Sequence, residues 1–166
     1  ALEGRTGGVR AVCPVTVDGQ VLLAGAGADG AVRIWDPATG EQRRALEGHT
    51  GGVRAVCPVT VDGRGMLASA GADGAVRIWD TATGEQRAVL EGRTGGIRAV
   101  CPVTVDGRGM LASVGSDRTV RIWDTATGIS CLIVPLHHEG WALSWLHGHL
   151  LVVGLSAGLL ALCIPG

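Results

Sequence analysis

Residues 53–59, Val-Arg-Ala-Val-Cys-Pro-Val, alternate small, polar and apolar side chains, the period of a half-buried β-strand. The following Val61-Asp62-Gly63 predicts a hairpin turn, because Gly63 can take the positive φ that a two-residue reversal needs. Met66 to Ala70 then predicts a second strand, Ala72-Asp73-Gly74 a second tight turn, and Ala75 to Trp79 a third strand. Thr81-Ala82-Thr83-Gly84 turns again, and Glu85 to Glu91 predicts an outer strand that stops at Gly92. Short strands at even spacing between glycine-bearing turns argue an all-β array without helices.

The same pattern recurs. Gly-Ala-Asp-Gly-Ala-Val-Arg-Ile-Trp-Asp stands at 27–36 and 71–80, and Gly-Ser-Asp-Arg-Thr-Val-Arg-Ile-Trp-Asp at 115–124. Trp35, Trp79 and Trp123 are thus 44 residues apart. With this period and the terminal Trp-Asp, the chain resembles the WD40 family, closely over 1–132 and weakly over 133–166. The resemblance implies a β-propeller with one four-stranded blade per repeat. It divides residues 1–166 into a single arc of four repeats: 1–44, 45–88, 89–132 and a divergent 133–166. Each sheet has two apolar faces, so a blade gains its stability from its neighbours. In the last repeat Gly140-Trp141 is matched to Gly52-Val53 and Gly154 to Gly71, while Leu159 to Ile164 replaces Val-Arg-Ile-Trp-Asp. Cys163 then falls near the Trp slot and Ser156 near the Asp slot. Three strands of a degenerate fourth blade are expected.

The resemblance also implies a hydrogen-bonded relay, which in the second repeat falls on His49, Ser69, Asp73 and Trp79. An indole N–H only donates and a carboxylate only accepts, whereas His and Ser do both, so the four can link a turn to the blade interior. Repeat one keeps Asp29 and Trp35 but has Arg5 and Gly25 in the other slots; repeat three keeps Ser113, Asp117 and Trp123 but has Arg93. Arg5 and Arg93 are expected to pair directly with the turn aspartates, a charged contact suited to exposure rather than burial. Those blades are expected to be the looser ones. The Ser, His and Asp of the relay do not make a hydrolase triad, since the hydroxyl would be buried with no oxyanion donor beside it. No catalytic residue and no cofactor is expected.

Composition narrows the function further. The net charge is −1, every basic side chain is Arg, and Lys, Tyr and Phe are absent, which excludes the basic, aromatic-bearing surface of a nucleic-acid binder. The Arg, Ala, Gly and Val bias suggests a GC-rich bacterial coding sequence. Cys13, Cys57 and Cys101 share one slot; in neighbouring sheets about 10 Å apart they are too distant for disulfides and are expected to be free, buried thiols. No pair of cysteines has zinc-site spacing, and a reducing, cytoplasmic location is the expectation. The apolar stretch Leu150 to Ile164 is shorter than the ~20 residues of a membrane helix and is broken by glycines, so buried strands and no membrane partner are expected.

Three binding possibilities remain. A protein-interaction platform is what the resemblance implies, on the face carrying Thr6-Gly7-Gly8 and Ala28, Thr50-Gly51-Gly52 and Ala72, and Thr94-Gly95-Gly96 and Ser116. These positions are small, and only Arg10, Arg54 and Arg98 offer anchors of the kind interfaces favour. Repeated beside the channel mouth, those arginines could bind a phosphate or an acidic peptide, or pair with carboxylates of the next blade. Metal is the third: His147-Gly148-His149 puts two rings on one face, but His137 and His138 lie some 25 Å away across an inner strand. With two ligands at most, His147 and His149 are weak candidates and no metal site is expected.

The chain starts at Ala1 without an initiator methionine and with no signal peptide, so it is expected to be a processed or excised piece. An N-terminal segment usually completes the last blade of such rings, and here that segment is only Ala1-Leu2-Glu3. Closure could come from a strained four-blade monomer, from two arcs pairing head-to-tail into an eight-blade ring, or from further blades of a longer array. The homodimer is preferred because a two-fold ring is self-closing; the partner is then a second copy, or otherwise another protein.

Overall fold

The computed structural model describes residues 7–146 and 149–164. Blade 1 holds β1 (Val9–Val17), β2 (Gln20–Gly27), β3 (Val32–Trp35) and β4 (Gln42–Leu46). Blade 2 holds β5 (Val53–Val61), β6 (Arg64–Gly71), β7 (Val76–Asp80) and β8 (Gln86–Leu90); blade 3 holds β9 (Ile97–Val105), β10 (Arg108–Gly115), β11 (Thr119–Asp124) and β12 (Ser130–Pro135). Among the described residues blade 4 has three strands, β13 (Gly140–Leu146), β14 (Leu150–Leu155) and β15 (Gly158–Cys163). Each sheet is antiparallel and ordered as the chain runs, with no helix among the described residues.

The inner hairpins turn on Asp-Gly pairs. Asp18 and Gly19, Asp62 and Gly63, and Asp106 and Gly107 all have φ between 49° and 77°, the left-handed pair of a type I′ turn whose twist suits the paired strands. Because that turn takes only two residues, β5 runs on to Val61, beyond the expected Val59. The third strand starts at Val76 rather than Ala75, and the outer strand covers Gln86–Leu90 rather than 85–91. Asp80 of the Trp-Asp pair closes the outer turn, accepting from the N–H groups of Ala82 at 3.0 Å and Thr83 at 3.1 Å.

Near its start each inner strand carries a β-bulge. Val53 pairs with Gly71 and Ala55 with Ala70, leaving Arg54 as the extra residue. The same shift isolates Arg10 in β1, Arg98 in β9 and Trp141 in β13. Bulges re-aim side chains. They also correct the matching of the last repeat by one residue: Gly140 stands in the slot of Val53, Trp141 in that of Arg54, and Leu155 in that of Gly71. By the same register Leu162, not Cys163, holds the Trp79 slot. Ser156 donates its N–H to Glu139 O as Ala72 does to Gly52 O, so it sits in the Ala72 slot rather than the Asp slot.

The core lies between blades. One cluster joins Val15 and Val32 of blade 1 to Val53, Val56 and Trp79 of blade 2. A second joins Val59 and Val76 to Ile97, Val100 and Trp123, and a third joins Val103, Val114 and Val120 to Leu151 and Val153. At the last interface the sizes are exchanged: Val114 replaces Ala70, and Gly140 replaces Val53, where a Cβ would collide with the Val114 side chain. No cluster joins blade 4 to blade 1 among the described residues.

Two sheet faces are consequently open. Val9 and Val12 are 57% and 59% exposed, whereas Val53 and Val56 in the same slots of blade 2 are 0% and 9% exposed. At the other end Leu146 and Leu159 are 45% and 81% exposed, whereas their counterparts Val59 and Val76 are 5% and 0% exposed. The stretch 150–164 is therefore in strands, as expected, but not in buried ones: only Leu151, Val153 and Ile164 of it are buried.

Candidate functional site

In blade 2 the relay residues converge from two strands, a turn and a loop. Trp79 Nε1 donates to Ser69 Oγ at 2.7 Å, and Ser69 Oγ lies 2.8 Å from His49 Nε2. His49 Nδ1 lies 2.9 Å from Asp73 Oδ2. Burial favours the neutral imidazole, and the acceptor-only Asp73 carboxylate takes its proton at Nδ1, so Nε2 accepts from the Ser69 hydroxyl. Burial pushes the His49 pKa down, against the opposing pull of Asp73. Burial pushes Asp73 up, but hydrogen bonds from His49 and from the N–H groups of Ala75 and Thr50 outweigh it and hold the carboxyl below its ordinary range. Ser69 is fully buried with its oxygen committed on both sides. This arrangement ties a turn to the blade; it presents no nucleophile.

Blade 3 fills the His slot with Arg93. The guanidinium donates to Asp117 Oδ1 through Nη2, to Ser113 Oγ through Nη1 at 2.8 Å, and to Thr119 O at 2.8 Å. Ser113 Oγ also accepts from Trp123 Nε1 at 2.8 Å. Both Arg93 and Asp117 are buried, which corrects the expectation of an exposed charged contact. Burial lowers the Arg93 pKa, with Asp117 opposing. Arg93 Nε and Asp117 Oδ2 are buried without a hydrogen-bond partner among the described residues. In blade 1 Arg33 pairs with Asp29 at 2.6 Å, Gly25 stands in the Ser slot, and Trp35 is buried. Arg5 lies outside the described residues.

The bulges bring the other candidates together. Arg10, Arg54, Arg98 and Trp141 line one cavity of about 350 Å³ beside the first residues of the inner strands. Each arginine reaches over the following blade. An added Cβ on Gly52 would meet Arg10 Nη1 at 3.0 Å, and one on Gly96 would meet Arg54 Nη1 at 3.1 Å. The corresponding residue of blade 4 is Glu139, and it pairs with Arg98 at 2.6 Å. Arg98 also stacks 3.7 Å above the Trp141 ring centroid, a cation–π contact. No carboxylate pairs with Arg10 or Arg54 among the described residues. Sequence matching missed Trp141 and Glu139 because it aligned Gly140 with Gly52. The signal that finds them is Gly-Trp-Ala at 140–142 set beside Val-Arg-Ala at 53–55.

The small loop residues pack on one another. A Cβ on Gly51 would meet Ala72 Cβ at 3.1 Å, and one on Gly95 would meet Ser116 Oγ at 2.6 Å. Thr50 and Ala72 are exposed, and Ser116 donates its hydroxyl to Gly96 O at 3.2 Å. Thr6 lies outside the described residues. His137 and His138 are exposed ahead of β13, and His149 is exposed behind it with φ 71° and an edge-on ring contact to Trp145. His147 lies outside the described residues, and no group of three potential metal ligands occurs among the described ones. All five cysteines are free thiols. Burial pushes Cys13 up to about 11 and Cys101 up to about 12, and raises Cys57 further. Cys101 is only half-buried, a correction to the uniform burial expected.

Comparisons with known proteins agree with this geometry. The chain is similar to the computationally designed Ika4 protein over 99% of its own length and 96% of that chain, at 26% identity and TM-score 0.81. It is similar to the WD40 beta propeller domain of Doa1 at 25% identity and TM-score 0.81, over 96% of its own length and 52% of that chain. It therefore spans about half of the Doa1 structure. Nothing among curated proteins matches the chain. The family described as WD domain, G-beta repeat, matches residues 1–36, 40–80 and 84–124, and the chain belongs to this WD40 family.

Proposed function

We propose that this chain is a scaffold that completes itself by pairing head-to-tail with a second copy into an eight-blade ring. WD40 propellers are in general non-enzymatic platforms that bind proteins, and the geometry favours a second copy as the first partner. The observation that carries the proposal is the complementarity of the two open faces. Inside the arc, Val59 and Val76 of one blade pack on Ile97 and Val100 of the next. Leu146 and Leu159 occupy the former pair of slots in blade 4, and Val9 and Val12 occupy the latter pair in blade 1. Contact between two copies would repeat an interface the fold already makes three times, and a two-fold axis would make both contacts identical. Burying these apolar faces would also remove patches that otherwise promote association.

The edge of β15 supports the same partner. Among the described residues its sheet has no counterpart of the fourth strand that β4, β8 and β12 supply elsewhere, and such an edge is a template for an incoming chain. Light scattering over a dilution series tests the proposal. A mass near twice 16.9 kDa that persists on dilution is expected, and Val12→Asp should return the chain to monomer. A monomer in the wild type would overturn it and leave presentation to another protein as the function.

A further inference from the structure

We propose that the cavity lined by Arg10, Arg54, Arg98 and Trp141 binds a carboxylate-rich peptide segment, with Glu139 occupying one of its three carboxylate positions from within the chain. Three observations carry this. First, all four residues are the extra residues of β-bulges, the device that turns a side chain out of the strand's alternation. The aim at one cavity therefore comes from the backbone and does not depend on flexible side chains meeting by chance.

Second, the slot beside each guanidinium is equivalent from blade to blade, and its occupant changes. Gly52 beside Arg10 and Gly96 beside Arg54 bring no side chain, whereas Glu139 beside Arg98 brings a carboxylate to 2.6 Å. Blade 4 thus displays the contact that the other two arginines leave unmade. Arginine's fork of donors favours planar oxyanions such as this one.

Third, Trp141 is exposed and already stacked under Arg98. An indole at the rim supplies apolar area for the backbone or side chains between successive acidic residues, the amphipathic anchor that peptide-binding surfaces use. A free phosphate would use the guanidinium groups but gain nothing from the indole, so the peptide is favoured. All four residues belong to one arc, so the site does not depend on ring closure and its failure would not affect that proposal.

The test is fluorescence anisotropy of a labelled hexaglutamate peptide titrated with the full chain at low salt, with inorganic tripolyphosphate and a neutral Gly-Ser peptide in parallel. Saturable binding of hexaglutamate alone is expected, weakening as salt is raised. The Arg10→Ala/Arg54→Ala double variant should lose most of it while unfolding like the wild type. Glu139→Gln should tighten binding a few-fold by freeing Arg98. Absence of saturable binding, binding indifferent to the double variant, or preference for tripolyphosphate would each overturn the proposal. If the double variant does not fold, Glu139→Gln decides: tighter binding supports the site, and unchanged binding overturns it.

Discussion

Blades 2 and 3 share three quarters of their residues, yet they connect the same turn aspartate to the same tryptophan by different chemistry. In blade 2 a neutral His49 passes hydrogen bonds from Trp79 and Ser69 to Asp73. In blade 3 a charged Arg93 reaches Ser113, Asp117 and the Thr119 carbonyl at once. The histidine relay is satisfied end to end, whereas the arginine leaves its own Nε and Asp117 Oδ2 without a hydrogen bond among the described residues, Asp117 Oδ2 keeping only a 3.9 Å ion pair to Arg121. The longer side chain makes more contacts but carries a full charge into a site closed to water. What the pair teaches is that one slot accepts either a short neutral link or a long ionic one, provided that Asp and Ser stay in place.

Removing the carboxylates should separate the two blades most. Asp117→Ala strands a buried guanidinium, and about 3–5 kcal/mol of destabilisation is expected. Asp73→Ala leaves the neutral His49 and two backbone N–H groups without their acceptor and takes one partner from Arg77, which keeps Gly48 O, and about 1–3 kcal/mol is expected. Urea unfolding of the two variants checks the order, and equal losses would break the distinction between an ionic and a neutral link. Ser69→Ala and Ser113→Ala should be nearly alike, each costing about 1–3 kcal/mol, because each leaves a buried indole N–H without its acceptor. A loss confined to one blade would mean that the other tryptophan finds a second acceptor.

The smallest effect is a pH dependence. His49 has its pKa lowered by burial, so in acid the unfolded chain takes up a proton that the folded chain refuses. Stability should therefore fall as pH drops below the ordinary histidine value of 6.5. Asp73 is also held low, so its contribution is present above the ordinary carboxylate range and lost in stronger acid, in the same direction. His49→Arg should remove the loss that begins near pH 6.5 and leave the carboxylate loss. An unchanged acid profile in that variant would mean that His49 does not titrate on unfolding.

Part of this was legible in the residues. The Asp-Gly hairpins follow from turn chemistry and a strict repeat, whereas the blade's strand order and the relay slots came with the WD40 resemblance. The divergent blade was legible in strand number but not in register, because a bulge at Trp141 shifts the pairing by one and conceals Glu139 beside Arg98. The burial of Arg93 was not legible either, since a charged side chain alone argues for exposure and only packing between blades closes the site.

The sequence by itself determined local structure: where the chain turns and which residues alternate. These depend on backbone preferences that each repeat carries within itself. Only the tertiary structure decided which faces are covered and where the bulged arginines converge. Both depend on what lies in the adjacent blade, so chemically similar valines are buried at 53 and 56 and exposed at 9 and 12.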